Sequence, residues 1–99
     1  MAYRIFWTEI ARDDLREIVA FIARDNPTAA ESFGLELIER AEAVGQFPQM
    51  GRQLPKIADP RLREVIHGTY RIVYEVDESR EVVVISRIWH SARGLPELS

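Results

Sequence analysis

The 99-residue sequence has no cysteine, which excludes disulfide scaffolds, thiol catalysis and cysteine-ligated zinc. It has no run of ~18 apolar residues that would span a membrane. Its start, MAYRIFWTEIARDD, lacks the basic opening, apolar centre and small-residue cleavage site of a secretory signal, so the expected setting is cytoplasmic. Internal repeats, low-complexity tracts and linkers are also missing, and the length leaves room for one core, so residues 1–99 read as a single domain. Two isolated histidines without cysteines make no convincing ligand set, and neither a metal nor an organic cofactor is expected. Lysine is nearly absent too: Lys56 stands alone beside twelve arginines. Arginine grips phosphate and carboxylate groups with two parallel N–H donors, which lysine cannot do.

What remains is an ordinary globular composition, with 46% hydrophobic and 29% charged residues and a net charge of −3. The charge is uneven. Residues 1–50 carry five arginines against nine acids, and residues 51–99 carry eight basic residues against seven acids. Such a split fits either one positive face or a mixed, solvated surface.

Residues 3–8 are aromatic and β-branched, which predicts a short strand. Ala11, Leu15, Ile18 and Ile22 then recur at helical spacing, with Val19 and Phe21 widening the apolar side. Thr8 is a suitable N-cap, and Glu9, Asp13 and Asp14 lie where the helix dipole favours anions. At residues 25–27 (DNP) the pattern breaks, and Asn26 can cap a second helix with Pro27 at its first position. That helix, about 27–44, has a stripe of Ala30, Phe33, Leu37, Ala41 and Val44, with Ile38 beside it and Gly45 where a C-terminal cap belongs. Its acidic side, Glu31, Glu36, Glu39 and Glu42, reads as solvated. Residues 46–60 form a loop punctuated by proline and glycine. Three strand-like runs follow at 62–67, 70–76 and 82–89, joined by short turns that predict an antiparallel meander. The expected fold is therefore α+β: an N-terminal strand, an antiparallel helical hairpin and a three-stranded antiparallel meander (βααβββ), with the helices on one face of the sheet.

Strict alternation sorts the last two strands into faces. Tyr70, Ile72, Tyr74 and Val76 oppose Arg71, Val73 and Glu75. Val83, Ile85, Arg87 and Trp89 oppose Val82, Val84, Ser86, Ile88 and His90. Arg71 and Arg87 interrupt apolar strands, and a charge there is costly without a partner or an open face. Two explanations stand side by side: an anionic ligand, or an ion pair across the sheet between Arg63 or Arg71 and Glu64 or Glu75. His67 reads as a turn residue before Gly68. Tyr70 and Tyr74, like Trp7 and Trp89, are expected in packing.

Four strings, WTEIARDDLREIVAFIARDNPTAAESF, FPQMGRQLP, LREVIHGTYRIVYEV and VVVISRIWHSARGL, in this order and spacing, resemble the RelE/ParE family over residues 7–95. The resemblance implies a toxin of a type II toxin–antitoxin module, neutralised by a cognate antitoxin protein in a hetero-oligomer, with no membrane association. It also implies a helical hairpin against an antiparallel sheet. RelE-like members cleave mRNA in the ribosomal A site; ParE-like members poison DNA gyrase without a known catalytic set.

Metal-free RNA cleavage needs a base for the 2′-OH, an acid for the leaving 5′-oxygen and cations for the developing phosphorane charge. The RelE likeness matches the arginine of YRIVY, Arg71, and the histidine of RIWH, His90, to functional positions. Arg71 and Arg87 are then the phosphate-stabilising groups, His90 the acid and Glu64 the base. Arg52, Lys56, Arg63 and Arg93 are the candidates for gripping neighbouring RNA phosphates. Some RelE-like nucleases use paired lysines and a C-terminal tyrosine, whereas here Lys56 is alone and Ser91 follows His90. With Arg, His and Glu all available, the ribosome-dependent mRNA endonuclease is the leading expectation and the noncatalytic gyrase inhibitor is its alternative. For the antitoxin, the expected docking sites are the outer surface of the hairpin and the exposed sheet face or edge, where an acidic side chain would reach Arg71 or Arg87.

Overall fold

In the computed structural model, which describes residues 2–54, 57 and 59–93 (the Arg93 side chain excepted), Thr8 ends the first strand and starts the first helix. The Thr8 hydroxyl oxygen accepts the Ala11 N–H at 3.1 Å, satisfying one of the helix's unpaired amides. Strand β1 (Arg4–Trp7) therefore passes straight into helix α1 (Glu9–Ala23). Asn26 does the same for helix α2 (Pro27–Gln46), accepting the Ala29 N–H at 3.0 Å, with Pro27 at the first position, as expected.

The end of α2 departs from expectation. Gly45 is a helical residue and Phe47 the C-cap. Gly45 is needed for close approach instead: its carbonyl accepts the Tyr3 N–H at 2.8 Å, and a Cβ there would lie 2.8 Å from the Tyr3 carbonyl oxygen. The helix thus docks directly on the chain entering β1.

Strands β2 (Arg52–Gln53), β3 (Leu62–His67), β4 (Tyr70–Asp77) and β5 (Val82–His90) complete one sheet in the order β1-β5-β4-β3-β2, and Ser91–Arg93 form a short 3-10 turn. Two features correct the all-antiparallel picture. β1 pairs parallel with β5, so the sheet is mixed. The segment expected as loop also contributes β2, a two-residue edge strand antiparallel to β3. The β3–β4–β5 meander is antiparallel as expected.

A third correction bears on the site. Opposite β4, Val73 pairs with Arg87 but Tyr74 pairs with Ile85, leaving Ser86 as a bulge. The extra residue reverses the alternation, so Val83, Ile85 and Ile88 all reach the core beneath the helices, while Arg87 and Trp89 stay on the opposite face. That core joins Ala11, Ile18, Leu37, Ala41 and Val44 to Val65, Ile72, Tyr74, Val76, Val83, Ile85 and Ile88. Fully burying side chains such as Leu37, Ile72 and Ile85 contributes roughly 1.5–3 kcal/mol each before entropy is counted. The far face has a smaller core of its own, Leu54, Leu62 and Val73 with Ile57 against it. Buried Tyr74 ties the connecting loop down, its hydroxyl donating to the Pro48 carbonyl at 2.9 Å and accepting the Gly51 N–H at 2.8 Å. Burial pushes the Tyr74 phenol above its ordinary value. Among the described residues, no helix is long and apolar enough to cross a membrane.

Candidate functional site

On the far face, register brings three of the expected residues together. Glu64 of β3 pairs with Arg52 of β2 on one side and Val73 of β4 on the other, and Arg71 is two residues back along β4. Glu64 has no exposed side-chain surface. Its Oε2 accepts from Arg52 Nε at 2.7 Å, and its Oε1 lies 3.5 Å from Arg71 Nη1, an ion-pair contact without a hydrogen bond. The cross-sheet Arg71–Glu64 pair is thus present. A carboxylate with no exposed surface, enclosed between two guanidiniums, is out of hydrogen-bond reach of a substrate hydroxyl, which a general base requires.

Arg87 is held elsewhere. β1 stops pairing with β5 at the Trp7–Ile85 position, and α1 takes over along the free edge. The Thr8 hydroxyl donates to the Ser86 carbonyl at 3.2 Å, and the Ile88 N–H donates to Asp14 Oδ2 at 2.9 Å. Arg87 reaches round this edge to the same carboxylate, with Nε 2.9 Å from Oδ2 and Nη2 3.1 Å from Oδ1, while its guanidinium lies over the Trp89 ring at 4.8 Å. Both side chains are largely buried, at 17% and 12% exposed. This two-point grip joins helix to strand.

His90 is on the other side of the sheet. It pairs with Tyr70, whose ring meets Phe33 of α2 at 5.8 Å, and the His90 and Tyr70 rings meet edge to face at 5.1 Å. The His90 Nδ1 accepts the Ala92 N–H at 3.1 Å, so the proton of the neutral ring is on Nε2. His90 opens into a cleft of about 410 Å³ between α1 and the ends of β4 and β5, lined also by Asp14, Glu17, Ile18, Phe21, Tyr70 and Ile88.

The four residues expected to act together are therefore divided. Glu64, Arg71 and Arg87 all spring from the far face, but the Arg87 guanidinium is drawn round the edge to Asp14 of α1, and His90 faces the helices across the sheet. Of the expected phosphate-gripping residues, Arg52 is mostly exposed beside Glu64, and Arg63 is paired with Tyr74 and donates to the Gly51 carbonyl at 2.7 Å. Lys56 and the Arg93 side chain lie outside the described residues. His67, expected only in a turn, is 2.9 Å from Glu36 and packs on Phe33 at 5.4 Å. On the rim, Arg61 bonds to Asp59 at 3.0 Å; this pairing holds the Asp59 carboxyl below its ordinary value and raises the guanidinium's. Among the described residues, no group of three or more His, Asp or Glu could hold a metal ion.

Sequence reading missed Asp14 as an anchor. The signal was there: Asp14 falls three residues after Ala11 and four before Ile18, on the buried stripe of α1. A carboxylate on that stripe needs a cation, and Arg87 supplies it.

Comparison with known proteins gives a consistent picture. Residues 5–95 match the family described as the ParE toxin of the type II toxin–antitoxin system parDE. The chain is 35% identical to Toxin RelE2 of Caulobacter vibrioides over 91 residues, covering 91% of this chain and 97% of that protein. Its structure is similar to the toxin–antitoxin complex RelBE2 of Mycobacterium tuberculosis, with a TM-score of 0.67 at 25% identity, covering 91% of this chain and 99% of that one. It also shares its fold with a chain of the ParDE system of P. aeruginosa, with a TM-score of 0.72 at 20% identity over 90% and 96% of the two chains.

Proposed function

This chain belongs to the ParE toxin family of type II toxin–antitoxin systems, and from that premise we propose that it arrests growth by binding a protein, as a ParE-like inhibitor of DNA gyrase, and not by cutting RNA. One observation carries the reading: His90 and the Glu64–Arg71 pair are on opposite faces of the sheet, so no single scissile phosphate can touch both. Acid, base and phosphate clamp must converge within hydrogen-bond reach of one reacting group. The two strand arginines expected to stabilise the phosphorane are already committed, Arg71 to Glu64 and Arg87 to Asp14.

A cognate antitoxin neutralises the toxin by covering its exposed apolar surface. Phe21 on α1 and Leu35 and Ile38 on α2 are large hydrophobic residues left open to solvent on the hairpin, suited to a segment that folds on binding. The arginine-rich far face accepts the acidic residues of the same segment, at Arg52 above all, since Arg52 is exposed while Arg71 is largely covered.

The test is expression without antitoxin, with DNA synthesis and translation followed separately. DNA synthesis is expected to stop first, His90→Ala is expected to remain toxic, and the purified protein is expected to inhibit gyrase supercoiling. Early loss of translation, with growth restored by His90→Ala, would establish the mRNA-cleaving alternative.

A further inference from the structure

Beyond the exposure of Phe21 at its edge, the cleft in front of His90 has no task in this reading, yet its chemistry is specific. Its walls are apolar and aromatic: Ile18 and Phe21 from α1 face Tyr70 and Ile88 from the sheet. Phe21 is 60% exposed, an unusual state for a phenylalanine on the side of α1 that turns to the sheet. Among the described residues, the charged groups lining the cleft are the carboxylates of Asp14 and Glu17, with no lysine or arginine. Glu17 makes no ion pair or hydrogen bond among the described residues, although Asp13 and Asp14 on the same helix are both taken by arginines.

The molecule already answers what such a surface holds. Asp14, on the cleft wall, receives the guanidinium of Arg87 with two N–H groups while Trp89 lies beneath it. The guanidinium of Arg24 lies 5.8 Å from the Phe21 ring. Both contacts combine a flat cation with an aromatic face, and one adds a carboxylate fork. The cleft repeats those parts one turn along: Glu17 for the fork, Phe21 and Tyr70 for the stacking surface, and room for a side chain.

We propose that the cleft between α1 and the end of β5 is a receptor for an arginine side chain presented by a protein partner, with Glu17 forking the guanidinium and Phe21 and Tyr70 sandwiching it. With Asp14 taken by Arg87, the Glu17 carboxylate selects a cation, and the aromatic walls select a flat one. His90, with Nε2–H as its donor, faces the opening and meets the partner's backbone carbonyl. The proposal stands whichever molecule the toxin arrests.

The experiment titrates the full chain with N-acetyl-arginine amide at millimolar levels, followed by amide chemical shifts, against N-acetyl-citrulline amide as an uncharged isostere. Saturable shifts at residues of α1 near Glu17 and of β5 near Ile88 are expected for the arginine probe alone. Glu17→Gln, an exposed change that leaves the fold intact, should weaken binding roughly two- to fivefold, in line with a partly exposed ion pair. Phe21→Ala should weaken it further. Equal shifts with the citrulline probe, shifts that map elsewhere on the surface, or a Glu17→Gln protein that binds the arginine probe as well as the parent would each overturn the proposal.

Discussion

Truncating Asp14 to alanine removes the acceptor of three N–H groups at once: Arg87 Nε at 2.9 Å, Arg87 Nη2 at 3.1 Å and the Ile88 amide at 2.9 Å. A hydrogen bond to a charged group nets about 1.5–3 kcal/mol, and a buried amide left without an acceptor costs about 1–3 kcal/mol. Those values do not simply add, because the pair is slightly open, at 17% and 12% exposed, and water can re-enter beside the abandoned guanidinium. The expected loss is therefore about 3 kcal/mol, the lower end of the range for breaking a buried ion pair. In a domain of this size that lowers Tm by roughly 12–24 °C. The assay is thermal and urea unfolding of Asp14→Ala, Arg87→Ala and the double variant. Because both singles break the same grip, the double should cost much less than their sum, with a coupling above about 1 kcal/mol. A coupling below about 0.5 kcal/mol would refute the claim that this contact pins α1 to β5. The outcome also bears on function. An Arg87→Ala protein that keeps its Tm but loses toxicity would give Arg87 a functional role beyond the fold.

Three further outcomes follow from the same contacts. Tyr74→Phe keeps the buried ring but strands the Gly51 N–H and the Pro48 carbonyl, so the urea midpoint should fall by the equivalent of about 1–3 kcal/mol with an unchanged slope. Because burial raises the Tyr74 phenol, the folded state holds that proton more tightly than the unfolded chain; stability is complete below the ordinary phenol value of about 10 and declines as pH rises past it, a slope that Tyr74→Phe should flatten in unfolding measured against pH. Gly45→Ala improves helix propensity by about 1 kcal/mol but sets a Cβ 2.8 Å from the Tyr3 carbonyl oxygen and 3.1 Å from Ile5 Cδ1, so the net effect should be a lower Tm, and a higher one would show that α2 has room to move.

Much of this fold is legible in the residues because local chemistry decides it. Thr8 and Asn26 can begin helices in any context that leaves their oxygens free, and both do. The meander follows from short turns between apolar runs. Legibility stops where the deciding contact is remote. Gly45 looks like a helix stop, and only the nearness of Tyr3 makes it an interior residue. Nothing local tells residues 4–7 to pair with residues 82–85, because that parallel register depends on where the hairpin and meander bring the two ends of the chain. β2 is two residues long and is held by Glu64, which lies beyond the proline-rich segment that separates them.

The candidate site shows the same limit more sharply, and Ser86 is the reason. Without a bulge, strict alternation puts Arg87 on the face of Val83 and Ile85, beneath the helices, and His90 on the face of Val84. The extra residue exchanges those assignments, bringing His90 to the helix side and leaving Arg87 and Trp89 beside Arg71 and Val73. It does so just beyond the point where β1 ends, so the bend meets an edge that α1 rather than a strand must cover. Asp14 answers that requirement, satisfying the Ile88 amide and the displaced arginine with one carboxylate. An arginine inside an apolar strand therefore announces a partner without saying whether the partner is foreign. For Arg87 an anion is found 73 residues away in the same chain, and a guanidinium so engaged ties strand to helix.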